Sequence, residues 1–306
     1  MIIDKPPGKT SHDIVRDVKR VIGARKVGHA GTLDPLATGV LVVCINEATK
    51  LTQFLLQDDK EYRATMLLGV RTDTLDREGE VTERQEPRLE EREICEAIRG
   101  FVGRIEQRAP RYSAVKFRGK PLYKWAREGV DIEPPLRTVT IHEIRVTEIV
   151  MPFVTVTVSC SKGTYIRSLC ADIGDVLGCG ACLSDLRRTR SGCFSQEDAV
   201  SIEGLSAREG RELLRKKLIP LARMLPDADT IVVDEDTESR IRKGYQPECG
   251  ILKKMRPPVP GGEKDLVTFV GKNGKIVAVA RMLFSPEELP RRDDGERAVK
   301  ILRVLN

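Results

Sequence analysis

The chain has 306 residues, 40% of them hydrophobic and 32% charged, a balance that supports a sizeable core and excludes a disordered or low-complexity chain. Its longest uninterrupted apolar run, Val40 to Ile45, is far short of the roughly 20 residues of a membrane span, and its start carries no basic-then-apolar leader. A soluble, cytoplasmic protein is expected, and the excess of Lys and Arg (52) over Asp and Glu (46) is compatible with a polyanionic partner without demanding one.

The first predicted element is a helix that Ser11 can cap, with Ile14, Val15, Val18, Val21 and Ile22 at helical spacing and Gly23 closing it. A shaped loop, Gly28 to Gly39, then leads into a buried strand, Val40 to Ile45, and a helix over about 47–57. Alternation through Tyr62, Ala64, Met66, Leu68 and Val70 predicts a strand with one core-facing side, followed by a polar turn from Asp73 to Gly79. A helix over about 89–101 and a short one from Pro121 to Arg127 come next. The β-branched runs Val139 to Val150 and Phe153 to Cys160 predict an antiparallel pair, and Thr164 can cap a helix reaching Leu177. Strands and helices mix without βαβ alternation, so the expected class is α+β with a mostly antiparallel sheet.

A boundary is expected near residue 226, in Leu225-Pro226-Asp227-Ala228-Asp229. Beyond it lie strand-like runs at Thr230 to Val233, Leu266 to Val270, Lys275 to Leu283 and Val299 to Leu305, with a Pro- and Gly-rich turn at Pro257 to Gly262. These predict a small β-rich second domain over 227–306 behind a first domain over 1–226.

Eight cysteines without a secretory leader read as reduced thiols. The single CxxC, Cys179 to Cys182, lacks the second knuckle of a zinc site, so no metal is expected. Three histidines make a Ser-His-Asp arrangement improbable, and GxxxxGK[ST], GxGxxG and HExxH motifs are absent, so no cofactor is expected. Two loci could carry chemistry. Asp34, in the glycine- and proline-shaped loop, reads either as the opening of an Asx-turn or as a reachable catalytic carboxylate. Arg167, in the first turn of a helix where the dipole prefers acids, is either a surface residue or the partner of a nearby carboxylate that it keeps ionised.

The run Gly28-His29-Ala30-Gly31-Thr32-Leu33-Asp34-Pro35-Leu36-Ala37-Thr38-Gly39 resembles the signature of the TruB family of RNA pseudouridine synthases. Asp4 to Ser11, Lys60 to Arg63, Ser161 to Arg167 and Leu183 to Gly192 resemble four further motifs of that family, in family order. The resemblance implies isomerisation of a uridine in RNA, the base being cut from its ribose, rotated and rejoined through carbon. Asp34 is then the catalytic residue, attacking either the ribose or the uracil ring, with Arg167 as its ion-pair partner. Tyr62 stacks on the target uracil and can help remove its C5 proton, Tyr165 and Leu186 line the pocket, and Lys5 with Pro6 buttresses the loop. His29 fills the gap left by the flipped base or contacts its neighbours. A stacked uridine is out of reach, so such an enzyme flips it into a close pocket whose aromatic walls replace the lost stacking.

The segment over about 109–130, with Arg111-Tyr112-Ser113-Ala114-Val115-Lys116 and Lys120-Pro121-Leu122-Tyr123, resembles the RNA-gripping insertion of the stand-alone bacterial enzymes. Those act on uridine-55 in the T stem-loop of tRNA as guide-free monomers. The C-terminal part resembles, more weakly, a PUA-type RNA-binding module, through its position, size and the stretch Glu238 to Gln246.

Overall fold

The computed structural model describes residues 1–130, 132–204, 206–254, 266–285 and 287–305. The turn expected at Pro257 to Gly262 lies outside these residues.

Among the described residues the larger sheet has nine strands. Its main path runs Ile2–Lys5, Thr38–Ile45, Ala181–Ser191, Lys60–Leu68, Phe153–Cys160, Leu136–Val150 and Gly103–Arg108. Val27–Ala30 and Phe194–Ser195 pair off this path, with Thr38–Ile45 and Ala181–Ser191 respectively. All neighbours are antiparallel except Thr38–Ile45 beside Ala181–Ser191. The class is α+β with an antiparallel-rich sheet, as the lack of βαβ alternation predicts.

Period-two alternation decides which face each residue serves. In Thr38–Ile45, Leu41 and Val43 join a core that includes Ile14 and Val18 of the helix Ser11–Ile22, Ile94 and Ile98 of Glu91–Arg99, and Leu169 and Ile173 of Ile166–Val176. The intervening Val40, Val42 and Cys44 face a second core shared with Leu51, Leu55 and Phe194. That second core also takes in Val270, Ile276, Val279 and Leu305 from the C-terminal sheet.

The C-terminal sheet has four strands in the order Asp229–Val233, Leu266–Gly271, Ile276–Met282, Val299–Val304, the first pair parallel. The helix Glu235–Arg242, capped by Asp234, packs on it through Ile241. Polar bonds supplement the shared core: Lys50 Nζ donates to the Val304 carbonyl at 3.0 Å, and Arg303 to Gln53 Oε1 at 3.0 Å.

Several local expectations change. The first helix is capped by Thr10, whose hydroxyl accepts from Asp13 N in a capping box. Ser11 is instead buried, its hydroxyl donating to Leu33 O and accepting from Leu33 N. The expected helix over 47–57 is a 3₁₀ turn, Asn46–Lys50, followed by a single α turn, Thr52–Leu55. Thr164 does not cap the following helix: its hydroxyl donates to Ser161 O, and Tyr165 is the N-cap residue of Ile166–Val176. The front of the shaped loop is the strand Val27–Ala30, which shortens the irregular part to about residues 31–37.

Candidate active site

The irregular loop is held from three sides. Ser11 ties both backbone groups of Leu33, the side chains of Leu33, Leu36 and Ala37 are buried in the core, and Gly8 N donates to Pro35 O at 2.9 Å. Lys5, fully buried, donates through Nζ to the carbonyls of Pro6 (2.8 Å), Lys9 (2.6 Å) and Pro35 (3.1 Å). Burial pushes the Lys5 ammonium down to about 8, with the nearby Asp34 charge acting against that fall. The turn at Asp34 is closed by its backbone carbonyl, which accepts from Ala37 N at 3.1 Å. Among the described residues no backbone N–H donates to the Asp34 carboxylate, so the side chain closes no Asx-turn and faces out of the stiffened loop.

That carboxylate meets Arg167. Arg167 Nε lies 2.9 Å from Asp34 Oδ2, the side chains being 5% and 38% exposed. Two carbonyls fix the rest of the guanidinium, Thr74 O accepting from one terminal nitrogen and Tyr112 O from the other, both at 2.9 Å. A second carboxylate, Asp76, stands 3.5 Å from the guanidinium. Asp76 is itself held, Oδ1 accepting from Thr74 Oγ1 at 2.7 Å and from Glu78 N at 3.1 Å. The unfavourable place of Arg167 in a first helical turn is thus compensated by two acids and two carbonyls.

Above this pair opens a cavity of about 310 Å³. Asp34, Tyr62, Tyr165, Arg167 and Leu186 all line it, together with Lys60, Ser113 and Arg188. Asp34 is the one carboxylate among these lining residues. Tyr62 projects from Lys60–Leu68 and is 9% exposed; burial raises its phenol pKa, and the Arg188 guanidinium opposes that rise. Tyr165 is clamped by Gln107, whose Oε1 accepts from Tyr165 N (2.8 Å) and whose Nε2 donates to Tyr165 O (3.0 Å). His29 and Lys5 are not among the lining residues. His29 sits on Val27–Ala30, its imidazole pKa lowered by burial and then by Arg188, and Lys5 supports the loop from behind.

The residues over 109–130 form a lid-like wall beside Tyr165. Ala109, Val115 and Leu122 are buried together, with Phe117 and Tyr165 packed against them. A small hairpin, Lys116–Phe117 with Lys120–Pro121, precedes the helix Leu122–Arg127. Lys120 lies 4.1 Å from the Trp125 ring centroid and pairs with Glu128; Arg118 is exposed but lies over the Phe117 ring at 5.4 Å, and Lys116 is exposed.

Sequence reasoning missed Asp76, Lys60 and Arg188. Asp76 lay in a turn read only as polar, and Lys60 and Arg188 lay inside quoted motifs without a role of their own. Yet Arg188 is 1% exposed and Lys60 6%. Lys60 donates to the carbonyls of Leu56 and Asp58, and burial pushes its ammonium down to about 8. Cys170, Cys179 and Cys182 are buried; burial pushes the thiols of Cys170 and Cys182 up, the latter to about 11. Among the described residues no three His, Cys, Asp or Glu are grouped to hold a metal, and no helix is long and apolar enough to cross a membrane.

Comparison with known proteins identifies the family. The family model described as TruB family pseudouridylate synthase (N terminal domain) matches residues 19–166, and that of the tRNA pseudouridylate synthase B C-terminal domain matches residues 167–232. The chain belongs to the TruB family. This TruB chain is 55% identical over 306 residues to the tRNA pseudouridine synthase B of Syntrophus aciditrophicus, covering 100% of itself and 98% of that relative. It is 42% identical to the protein of the same name from Alkaliphilus oremlandii, with 92% and 97% covered. Among solved structures, a chain of a Cbf5-Nop10-Gar1 complex matches with TM-score 0.74 at 29% identity, covering 99% of the TruB chain and 84% of that chain. A chain of an H/ACA RNP bound to a substrate RNA containing 2'-deoxyuridine matches at 0.73 and 26%, covering 100% and 84%.

Proposed function

We propose that this enzyme, a tRNA pseudouridine synthase acting on uridine-55, performs its chemistry with Asp34 on free tRNA. The observation that carries the reading is the Asp34–Arg167 pair at the wall of a cavity faced by two tyrosines and a leucine. In the net reaction the N1–C1′ bond breaks, a C5–C1′ bond forms, C5 loses its proton and N1 gains one. No electrons are exchanged with any other group. Asp34 is the reactive carboxylate, and Arg167 holds it in one orientation in a site that water-filled solution would not provide. Tyr62, Tyr165 and Leu186 supply flat and apolar walls for the flipped base, replacing stacking worth about 1–3 kcal/mol per base. Lys5 and Pro6 keep the loop stiff, and His29 occupies the flank of the site, where it meets the tRNA around the vacated position.

The wall over 109–130 grips the T stem-loop through its exposed Lys116 and Arg118. The chain divides near residue 226 into a catalytic unit and a PUA-like RNA-binding unit, and it works in the cytoplasm as a monomer without guide RNA. Release of tritium from C5-labelled unmodified tRNA, with the protein alone, tests this reading. Rapid release from the natural transcript and none from one carrying cytidine at position 55 is expected. Release that requires a guide RNA, or persists in the position-55 variant, contradicts it.

A further inference from the structure

Arg188 is the largest side chain with under 2% exposure, yet among the described residues no carboxylate lies within 4.0 Å of its guanidinium. A buried cation without an acid is costly, and its hydrogen bonds have to make up the difference. Two of them go to backbone: Nε donates to Val40 O at 2.7 Å and a terminal nitrogen to Gly31 O at 3.0 Å. These carbonyls flank the Asp34 loop, one at each end. Lys5, Ser11 and Gly8 bond the same loop at Leu33 and Pro35. The two Arg188 bonds, besides tying the loop's ends, fix the guanidinium plane itself.

What that plane serves is set by the sheet. Arg188 stands directly opposite Tyr62 in the antiparallel pairing of Ala181–Ser191 with Lys60–Leu68, and opposite Gly39 in the parallel pairing with Thr38–Ile45. At Gly39, with φ +95°, a Cβ would stand 2.2 Å from the Arg188 carbonyl oxygen, so the two strands come together here at a separation only glycine permits. Cross-strand neighbours share a face of the sheet, so the Arg188 and Tyr62 side chains stand side by side, both lining the cavity, and the guanidinium charge acts on the phenol. The other charged or titratable groups that act on the phenol are Cys160 and Asp34.

We propose that Arg188 is a positioning residue for the known reaction, which holds the Tyr62 hydroxyl at the cavity wall by a bond anchored on Gly31 O and Val40 O. The inference rests on the catalytic reading of this cavity. Arginine suits the task because its planar fork serves two carbonyls and a hydroxyl at once, which a lysine ammonium on a flexible stem cannot do in the same geometry.

A double-mutant cycle on the full chain under single-turnover conditions tests it, with Tyr62→Phe, Arg188→Met and the double variant measured for rate and for tRNA affinity. Tyr62→Phe and Arg188→Met are each expected to slow the rate by about 100-fold with affinity unchanged, and the double variant to be no slower than either. Where Arg188→Met does not fold, Arg188→Lys replaces it in the same cycle, and an intermediate loss that vanishes in the Tyr62→Phe background is expected. Multiplicative losses overturn the proposal, as does a loss confined to tRNA affinity or a full rate in the arginine variants. Asp34→Asn is run beside them: activity there sinks the reading of the cavity, whereas an inactive Asp34→Asn with multiplicative losses at Arg188 and Tyr62 sinks this inference alone.

Discussion

Arg167 and Asp34 lie far apart in the chain, one in a helix and the other in a loop, yet Nε of one lies 2.9 Å from Oδ2 of the other. The guanidinium is almost fully buried while the carboxylate is more than a third exposed, so the pair is fixed on the protein side and open on the cavity side. The carboxylate thus has a counter-charge behind it and space in front of it, the arrangement on which the proposed chemistry rests.

The same geometry predicts that Arg167→Lys fails although charge is kept. A lysine can meet Asp34 but cannot also donate to Thr74 O and Tyr112 O, so the acid loses its fixed orientation. The single-turnover rate is expected to fall by at least about 100-fold while tRNA affinity, measured by filter binding, stays as in wild type. A rate near wild type would show that charge alone suffices.

Gly39 is predicted to be a stability hot spot. At φ +95°, with the Arg188 carbonyl 2.2 Å from any Cβ, Gly39→Ala imposes both strain and a backbone clash. A loss of about 2–4 kcal/mol in denaturant unfolding is expected, against about 1 kcal/mol for Gly23→Ala, where nothing lies within 4 Å of the added methyl.

The buried lysines carry a pH signature. Lys5 and Lys60 are each held near 8 in the fold, against an ordinary 10.5. The unfolded chain therefore binds more protons between those values, and stability from these two groups rises as pH climbs from about 8 to 10.5. The penalty for burying the charged forms is present in full below about 8. Thermal melts across that window are expected to be flatter in Lys5→Met and Lys60→Met than in wild type. A steeper slope would reverse the sign argued here.

Within the 109–130 wall, Lys116 and Lys120 are expected to behave differently. Lys116 is exposed and free to meet phosphate, so Lys116→Ala should lower the magnitude of the salt slope of tRNA binding by about one, with the affinity loss greatest at low salt. Lys120 is engaged with Trp125 and Glu128, so Lys120→Ala should loosen the wall and raise its proteolytic susceptibility. Equal effects of the two on the salt slope would contradict this division.

The strongly patterned parts of the fold were readable before the structure. Alternation in Lys60–Leu68 and β-branching in Leu136–Val150 and Phe153–Cys160 give sheet strands because one face of each meets a core. The strand Ala181–Ser191 was not foreseen, since its arginines disguise an alternation in which Arg188 points inward. Gly103–Arg108 was missed for a related reason, being an edge strand with mostly partly or fully exposed residues. At the site, Asp34, Tyr62, Tyr165, Arg167 and Leu186 line one cavity. Asp76 and Arg188 could not be found from local pattern, because each meets partners more than 90 residues away in the chain, Arg167 for Asp76, and Gly31 and Tyr62 for Arg188. The buried charge of Lys60 likewise depends on carbonyls that only the folded turn presents.

The most direct test of the account is Asp34→Asn assayed for C5 tritium release and for tRNA binding in the same preparation. The substitution keeps shape and removes the charge facing Arg167. Undiminished binding with no detectable release is the predicted result. Release at the wild-type rate would contradict the assignment of the chemistry to Asp34, and with it the central claim made for this cavity.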